Sequence, residues 1–126
     1  MELGAAIVPT HGKFAGPGFC CGDRKPHTRQ EILDTPVADV YDSVTGIWRN
    51  DYVDLIAKPH DLAYTDAEAF KNMDFSKYLQ MIKEADQKLI DSAMEMLEKD
   101  SRGEIHLTVG ERNYGRAMLE LFKMKQ

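Results

Sequence analysis

The stretch Lys58-Pro59-His60-Asp61-Leu62-Ala63-Tyr64 places a base, an acid and a phenol within two helical turns. On a helix His60 and Tyr64, four apart, share a face. Asp61 is turned about 100° away and serves a different neighbour. An imidazole is a general base near neutral pH, and a carboxylate beside it suits a hard cation. His-Asp is a common dipeptide, so this chemistry needs partners from elsewhere in the chain. One candidate is His11-Gly12-Lys13-Phe14-Ala15-Gly16-Pro17-Gly18-Phe19-Cys20-Cys21-Gly22. Its glycines and proline forbid regular structure. It is either a plain surface turn or a loop that turns backbone carbonyls inward around an ion.

The second candidate is Asp86. Phe75, Leu79, Ile82, Asp86, Leu89, Ala93 and Met96 are spaced four and three alternately, the inward stripe of a long helix capped by Asp74 and running to about Lys99. Every other member is apolar. A lone buried carboxylate is costly, so Asp86 either sits on a rim or meets His60 on the facing helix. The short Asn72-Met73-Asp74 connection makes those two helices antiparallel neighbours. Such a carboxylate would orient and charge-stabilise the imidazole.

The remaining elements follow from local signals. The apolar run Leu3 to Val8 predicts an extended or poorly ordered arm ended by Pro9. Asp23 to Arg29, which holds His27, reads as a solvated, locally basic loop. Thr35-Pro36 opens a short helix over 36–45, with Val37, Val40, Tyr41 and Val44 at helical spacing and Gly46 as its stop. Ile47 and Trp48 then pack onto the core, or form an interfacial flap, since tryptophan suits a lipid boundary. Asn50 or Asp51 caps the helix that carries His60. Pro59 predicts a kink or break near 55–58, with the helix resuming to about Lys71. Glu104 to Val109 alternates in the manner of a short strand, with His106 on its exposed side. Thr108-Val109-Gly110-Glu111 is a capping box for a last helix over 111–124, which turns Tyr114, Ala117, Met118, Leu121 and Met124 inward.

Composition narrows the classes. One compact domain over residues 1–126 is expected, mainly α-helical, with 43% hydrophobic and 29% charged residues, as in a soluble globular chain. A net charge of −5 argues against nucleic acid as partner. Leu3 to Val8 is too short to span a bilayer and lacks the basic start of a signal peptide. Cys20 and Cys21 are adjacent, so no disulfide framework is expected, and they read as buried thiols rather than zinc ligands.

In this order the motifs resemble the phospholipase A2 family, and most the disulfide-free domain of parvovirus capsid proteins. Phe14-Ala15-Gly16-Pro17-Gly18 is similar to the family's calcium loop, in the Gly-Pro-Gly form of the viral branch. His60-Asp61-Leu62-Ala63-Tyr64 is similar to its catalytic helix, with Asp54 and Ala57 before it, and Ala85-Asp86-Gln87-Lys88-Leu89-Ile90 to the helix that supplies an aspartate to the histidine. Tyr114-Gly115-Arg116 is a weaker echo. Two departures concern the substrate pocket. The segment between Gly18 and Asp54 is longer than in the viral domain, so 35–48 reads as an inserted flap, and Pro59 directly before the histidine is unusual.

The resemblance implies two antiparallel catalytic helices, a glycine-rich calcium loop and a short C-terminal helix. It implies calcium held by the carbonyls of Phe14, Gly16 and Gly18 and by the carboxylate of Asp61. His60 would activate water for attack on the sn-2 ester of a glycerophospholipid, Asp86 would hold the imidazole tautomer, and Tyr64 would join that network. The implied partner is a phospholipid membrane surface, reached from a virion or by another delivery route. Two readings compete: a metal-dependent phosphohydrolase of the His-Asp type, which needs further ligands such as His27, and a non-catalytic virion or binding protein that keeps the fold.

Overall fold

The computed structural model describes residues 9–126, so the arm expected before Pro9 lies outside the described residues. It is mainly helical, with a small two-stranded sheet. The elements are α1 (Arg29–Asp34), β1 (Asp39–Asp42), β2 (Ile47–Asn50), α2 (Tyr52–Glu68), α3 (Phe75–Ser101) and α4 (Val109–Lys125). No helix among the described residues is long and apolar enough to cross a membrane.

The frame is the antiparallel pair α2 and α3. Asp51 caps α2 by accepting from the Asp54 N–H at 2.9 Å, and Asp74 caps α3 by accepting from Lys77 N–H at 3.1 Å. His60 and Tyr64 lie opposite Asp86. Toward the other end Tyr52 and Ile56 lie beside Met96 and Lys99. Between them Val53, Ala57, Leu89, Ala93 and Met96 are buried, joined by Phe14 from the glycine loop and Met118 from α4. Gly115 sits where α4 presses on α3. A Cβ there would stand 2.6 Å from Met96 Cε, so no larger side chain fits without displacement. α4 begins with the expected capping box, Thr108 accepting from Glu111 N–H while the Glu111 carboxylate accepts from Thr108 N–H.

Several expectations are corrected. The helix expected over 36–45 is instead the first half of a β-hairpin, with Tyr41 opposite Trp48 and Asp42 opposite Ile47. Its turn explains the choice: Asp42 accepts from the backbone of Val44 and Thr45, and Gly46 takes a φ of +77°. Thr35 closes α1 rather than opening a helix. α1 begins at Arg29, where the expected 23–29 loop ends, and starts from a Thr28–Glu31 capping box. Ile47 and Trp48 do not pack onto the core: Trp48 is 69% exposed, its ring edge-on to Tyr41.

Pro59 lies inside an unbroken α2, which ends at Glu68 rather than Lys71. The proline stands on the exposed side, where the carbonyl it leaves without a helical donor is that of exposed Leu55. The stripe on α3 is buried only from Asp86 onward, because Phe75 (56% exposed) and Leu79 (50%) lie beyond the cover of the neighbouring helices. Residues 104–109 form no strand; Leu107 is buried and its N–H donates to Asp100. On α4 Met118 is buried and Tyr114 half-buried, whereas Ala117, Leu121 and Met124 are exposed. Cys20 and Cys21, expected as buried thiols, are half-buried side by side, a local pair that joins no distant segments.

Candidate functional site

A cavity of about 370 Å³ opens between the glycine loop, α2 and α4. Phe14 to Gly18 form one wall, His60, Asp61 and Tyr64 another, and Met118, Leu121, Phe122 and Lys125 a third. It gathers six of the seven residues singled out from sequence: Phe14, Gly16, Gly18, His60, Asp61 and Tyr64. The seventh, Asp86, stands behind His60 in its second row. The walls are mostly apolar, with few convergent polar groups, as in sites that take small molecules or acyl chains.

The loop is held from below by Asp54, which is fully buried. Its carboxylate accepts from the N–H groups of Lys13 (2.8 Å), Phe14 (3.1 Å) and Ala38 (2.9 Å). Gly12 passes directly over this carboxylate with φ +61°, where a Cβ would stand 2.5 Å from its oxygens. Only glycine allows that approach. Further along, Arg24 donates to the Pro17 carbonyl and Phe19 N–H to the Gly16 carbonyl. The carbonyls of Phe14 and Gly18 accept no hydrogen bond from the described residues.

Behind His60 is a network centred on Asp86, whose side chain is 5% exposed. His60 Nε2 lies 2.8 Å from Asp86 Oδ1, and Tyr64 Oη donates to the same oxygen at 2.6 Å. Lys125 Nζ lies 3.1 Å from Asp86 Oδ2 and donates to Tyr64 Oη at 3.0 Å. Phe122 meets the imidazole edge-on at 5.0 Å. Burial pushes the Asp86 carboxyl up, but hydrogen bonds from Tyr64, His60 and Lys125 together outweigh it and hold it below the usual carboxylate range. For His60 burial wins over the attraction of Asp86, and its pKa falls below the ordinary 6.5. The imidazole is therefore neutral at neutral pH. With Nε2 donating to an ionised carboxylate, the lone pair resides on Nδ1.

Asp61 is the unsatisfied member. Its Oδ2 is buried without a hydrogen-bond partner among the described residues. Burial first, and the charge of Asp54 second, push its carboxyl up to about 8. Burial thus favours the protonated carboxyl, and a cation bound beside it would favour the ionised form. The available donors are hard oxygens, namely Asp61 and the open loop carbonyls on the same cavity, which is the set calcium prefers. Among the described residues no three His, Cys, Asp or Glu side chains gather to hold a metal without backbone oxygens.

Lys125, Phe122 and Asp54's role under the loop were not foreseen. Lys125 is 61 residues from Tyr64, and no local pattern announces that contact. His27, the extra ligand of the phosphohydrolase reading, bonds Asp23 and Glu31 and is absent from the cavity wall. His106 is half-buried and also away from it. Compared with family models, curated proteins and solved structures, the chain matches none.

Proposed function

We propose that the cavity hydrolyses the sn-2 ester of glycerophospholipids, with calcium bound by Asp61 and the carbonyls of Phe14, Gly16 and Gly18. The observation that carries this reading is one cavity lined both by a neutral, Asp86-backed imidazole and by a buried Asp61 oxygen without a partner among the described residues. A bound calcium would supply positive charge where the ester carbonyl oxygen becomes anionic. The chain's own residues do the rest. His60 Nδ1 takes a proton from water as the water oxygen attacks the ester carbonyl. Asp86 stabilises the imidazolium that results, with Tyr64 bonded to the same oxygen. The proton then passes to the departing alkoxide, giving a fatty acid and a lysophospholipid. The apolar walls from Leu89, Met118, Leu121 and Phe122 accept acyl chain and exclude water.

The test is fatty-acid release from mixed zwitterionic and anionic vesicles, with calcium or with chelator, alongside a thermal melt. Calcium should be required for release and should raise Tm by mass action, and Asp61→Asn should remove both responses. If calcium changes neither Tm nor hydrolysis in wild type, the calcium site is wrong. A Tm rise without release on any lipid favours a binding protein that keeps the site.

A further inference from the structure

We propose that Lys125, in the last turn of α4, is a positioning residue: its ammonium fixes the Asp86 carboxylate so that the opposite oxygen holds the His60 imidazole. The proposal rests on the hydrolytic reading of the cavity for its catalytic consequence, but not for its geometry.

Asp86 has two oxygens and they are divided. Oδ1 receives both His60 and Tyr64, while Oδ2 is left to Lys125 at 3.1 Å. Lys125 also reaches Tyr64 Oη, so it touches both partners that steer Oδ1. The four side chains come from three helices: His60 and Tyr64 from α2, Asp86 from α3 and Lys125 from α4. Without Lys125, a nearly buried carboxylate would face only a neutral imidazole and a phenol, an uncompensated charge in a poorly hydrated site. It would turn toward water or take up a proton, and in either case the fixed acceptor for His60 Nε2–H is lost. Among the described residues Lys125 is the only lysine or arginine on the cavity wall. Its Nζ lies over the rings of Phe122 and Tyr64, 4.9 and 5.6 Å from their centres, which favours one placement of a flexible side chain. A cation in the last turn also suits the negative end of the helix.

Lys125 is 46% exposed at the cavity, so the competing role is direct contact with the phosphate of the substrate. The two roles differ in kinetics. A positioning role acts through Asp86 and appears in kcat; a phosphate contact appears in KM.

The experiment compares wild type, Lys125→Met and Lys125→Arg, each also in an Asp86→Asn background, using the full chain with calcium and a short-chain phosphatidylcholine. Lys125→Met should lower kcat about tenfold or more, the scale of one charge-assisted hydrogen bond, with KM changed less than about twofold. Lys125→Arg should restore most of the rate. In the Asp86→Asn background Lys125→Met should cost nothing further, because the group it acts through is gone. Independently of activity, ¹⁵N NMR of the His60 ring should show one tautomer, protonated at Nε2, in wild type and a mixture in Lys125→Met. An unchanged tautomer, a rise in KM alone, or a full tenfold loss in the Asp86→Asn background would each overturn the proposal. A wild type without hydrolysis whose tautomer still depends on Lys125 would leave the positioning role standing and remove the enzymatic reading.

Discussion

Among the described residues, two His–Asp pairs on buried aspartates look alike and behave oppositely. His11 Nε2 lies 2.6 Å from Asp51, and His60 Nε2 lies 2.8 Å from Asp86. For His11 the hydrogen bond to Asp51 outweighs burial, and the pKa is raised above 6.5. For His60 burial outweighs the bond to Asp86, and it is lowered. The surroundings account for the difference. His11 feels Asp51, Asp54 and Glu111 together, all negative. His60 has Lys125 on the far side of its aspartate, and that cation lowers its pKa further. The consequences diverge too. The other oxygen of Asp51 caps α2, and His11 exchanges backbone hydrogen bonds with Ala15, so the pair latches the glycine loop to the start of α2. His60 instead lines a cavity with a free lone pair. A hydrogen-bonded His–Asp pair is thus not by itself a signature of catalysis; the balance between burial and the carboxylate and other charges around the pair decides which way the imidazole shifts.

The sharpest way to break this contrast is to remove each imidazole in turn. His60→Ala should lower fatty-acid release by on the order of 10²–10⁴, the usual worth of a general base, while Tm stays close to wild type. His11→Ala should do the reverse, lowering Tm while the rate of the folded fraction survives. Equal loss of rate in both variants would erase the distinction between the two pairs.

Next in size is the carboxylate that charges the latch end. Glu111 is fully buried and accepts from both terminal nitrogens of Arg49 and from the N–H groups of Tyr52 and Thr108. Burial pushes it up, but Arg49 and the backbone donors hold it below its ordinary value. Glu111→Ala leaves the Arg49 guanidinium with Asp42 as its remaining charged partner, unpairs the Tyr52 and Thr108 N–H groups, and should cost about 3 kcal/mol, read by urea unfolding. The sign with pH follows from the depressed folded-state value. The stabilisation is complete above the unfolded pKa near 4.5 and is lost as pH falls through the lower folded value. Glu111→Gln should therefore flatten the acid limb of the stability curve.

Much of the site was legible because its chemistry is local. His60, Asp61 and Tyr64 share one helix, Phe14 to Gly18 one loop, and Asp86 betrayed itself as the only polar member of an apolar stripe. The latch was not legible. His11 and Asp51 are forty residues apart, and each has a plain local reading, a loop residue and a helix cap. Lys125 was hidden for the same reason. The hairpin was misread because Val37, Val40, Tyr41 and Val44 satisfy a helical spacing, while their β-branched and aromatic character suits a strand equally well. What decided was the Asp42–Gly46 turn. Burial of the α3 stripe could not be judged from periodicity, because that depends on how far the neighbouring helices reach.

A smaller effect tests the opposite titrations directly, in chelator so that no metal intervenes. His11 has a raised folded-state pKa, so its contribution is full below pH 6.5 and is lost as pH rises through the folded value. His11→Gln should cost about 1.5–3 kcal/mol at pH 5.5, the worth of a hydrogen bond to a charged group, and less at pH 9. His60 has a lowered value, so folding is penalised as pH falls below 6.5. The stability of His60→Gln relative to wild type should improve at pH 5.5. Parallel trends in the two variants would show that one environment has been assigned the wrong sign.

The smallest effect comes from a third pair, which supplies the control. His27 Nε2 lies 2.7 Å from Asp23, with Glu31 at 3.4 Å on its other nitrogen. The direction of its shift matches that of His11, raised mainly by the bond to Asp23. Its carboxylate partners, however, are exposed to water, Asp23 at 42% and Glu31 at 56%. Solvent and ions screen such a pair, and exposed pairs contribute little. If distance alone governed these pairs, His27 and His11 would matter equally, since their bonds differ by only 0.1 Å. If burial governs them, the Tm of His27→Gln should nearly equal that of wild type at pH 5.5. Any residual difference should vanish in 1 M salt, where the screening length is about 3 Å. The His11→Gln difference should survive that salt, because ions do not reach between His11 and an Asp51 that is 1% exposed. Loss of the His11 effect in salt would mean that the latch is open to solvent, and that the contrast between it and the pair at the cavity is one of charge alone.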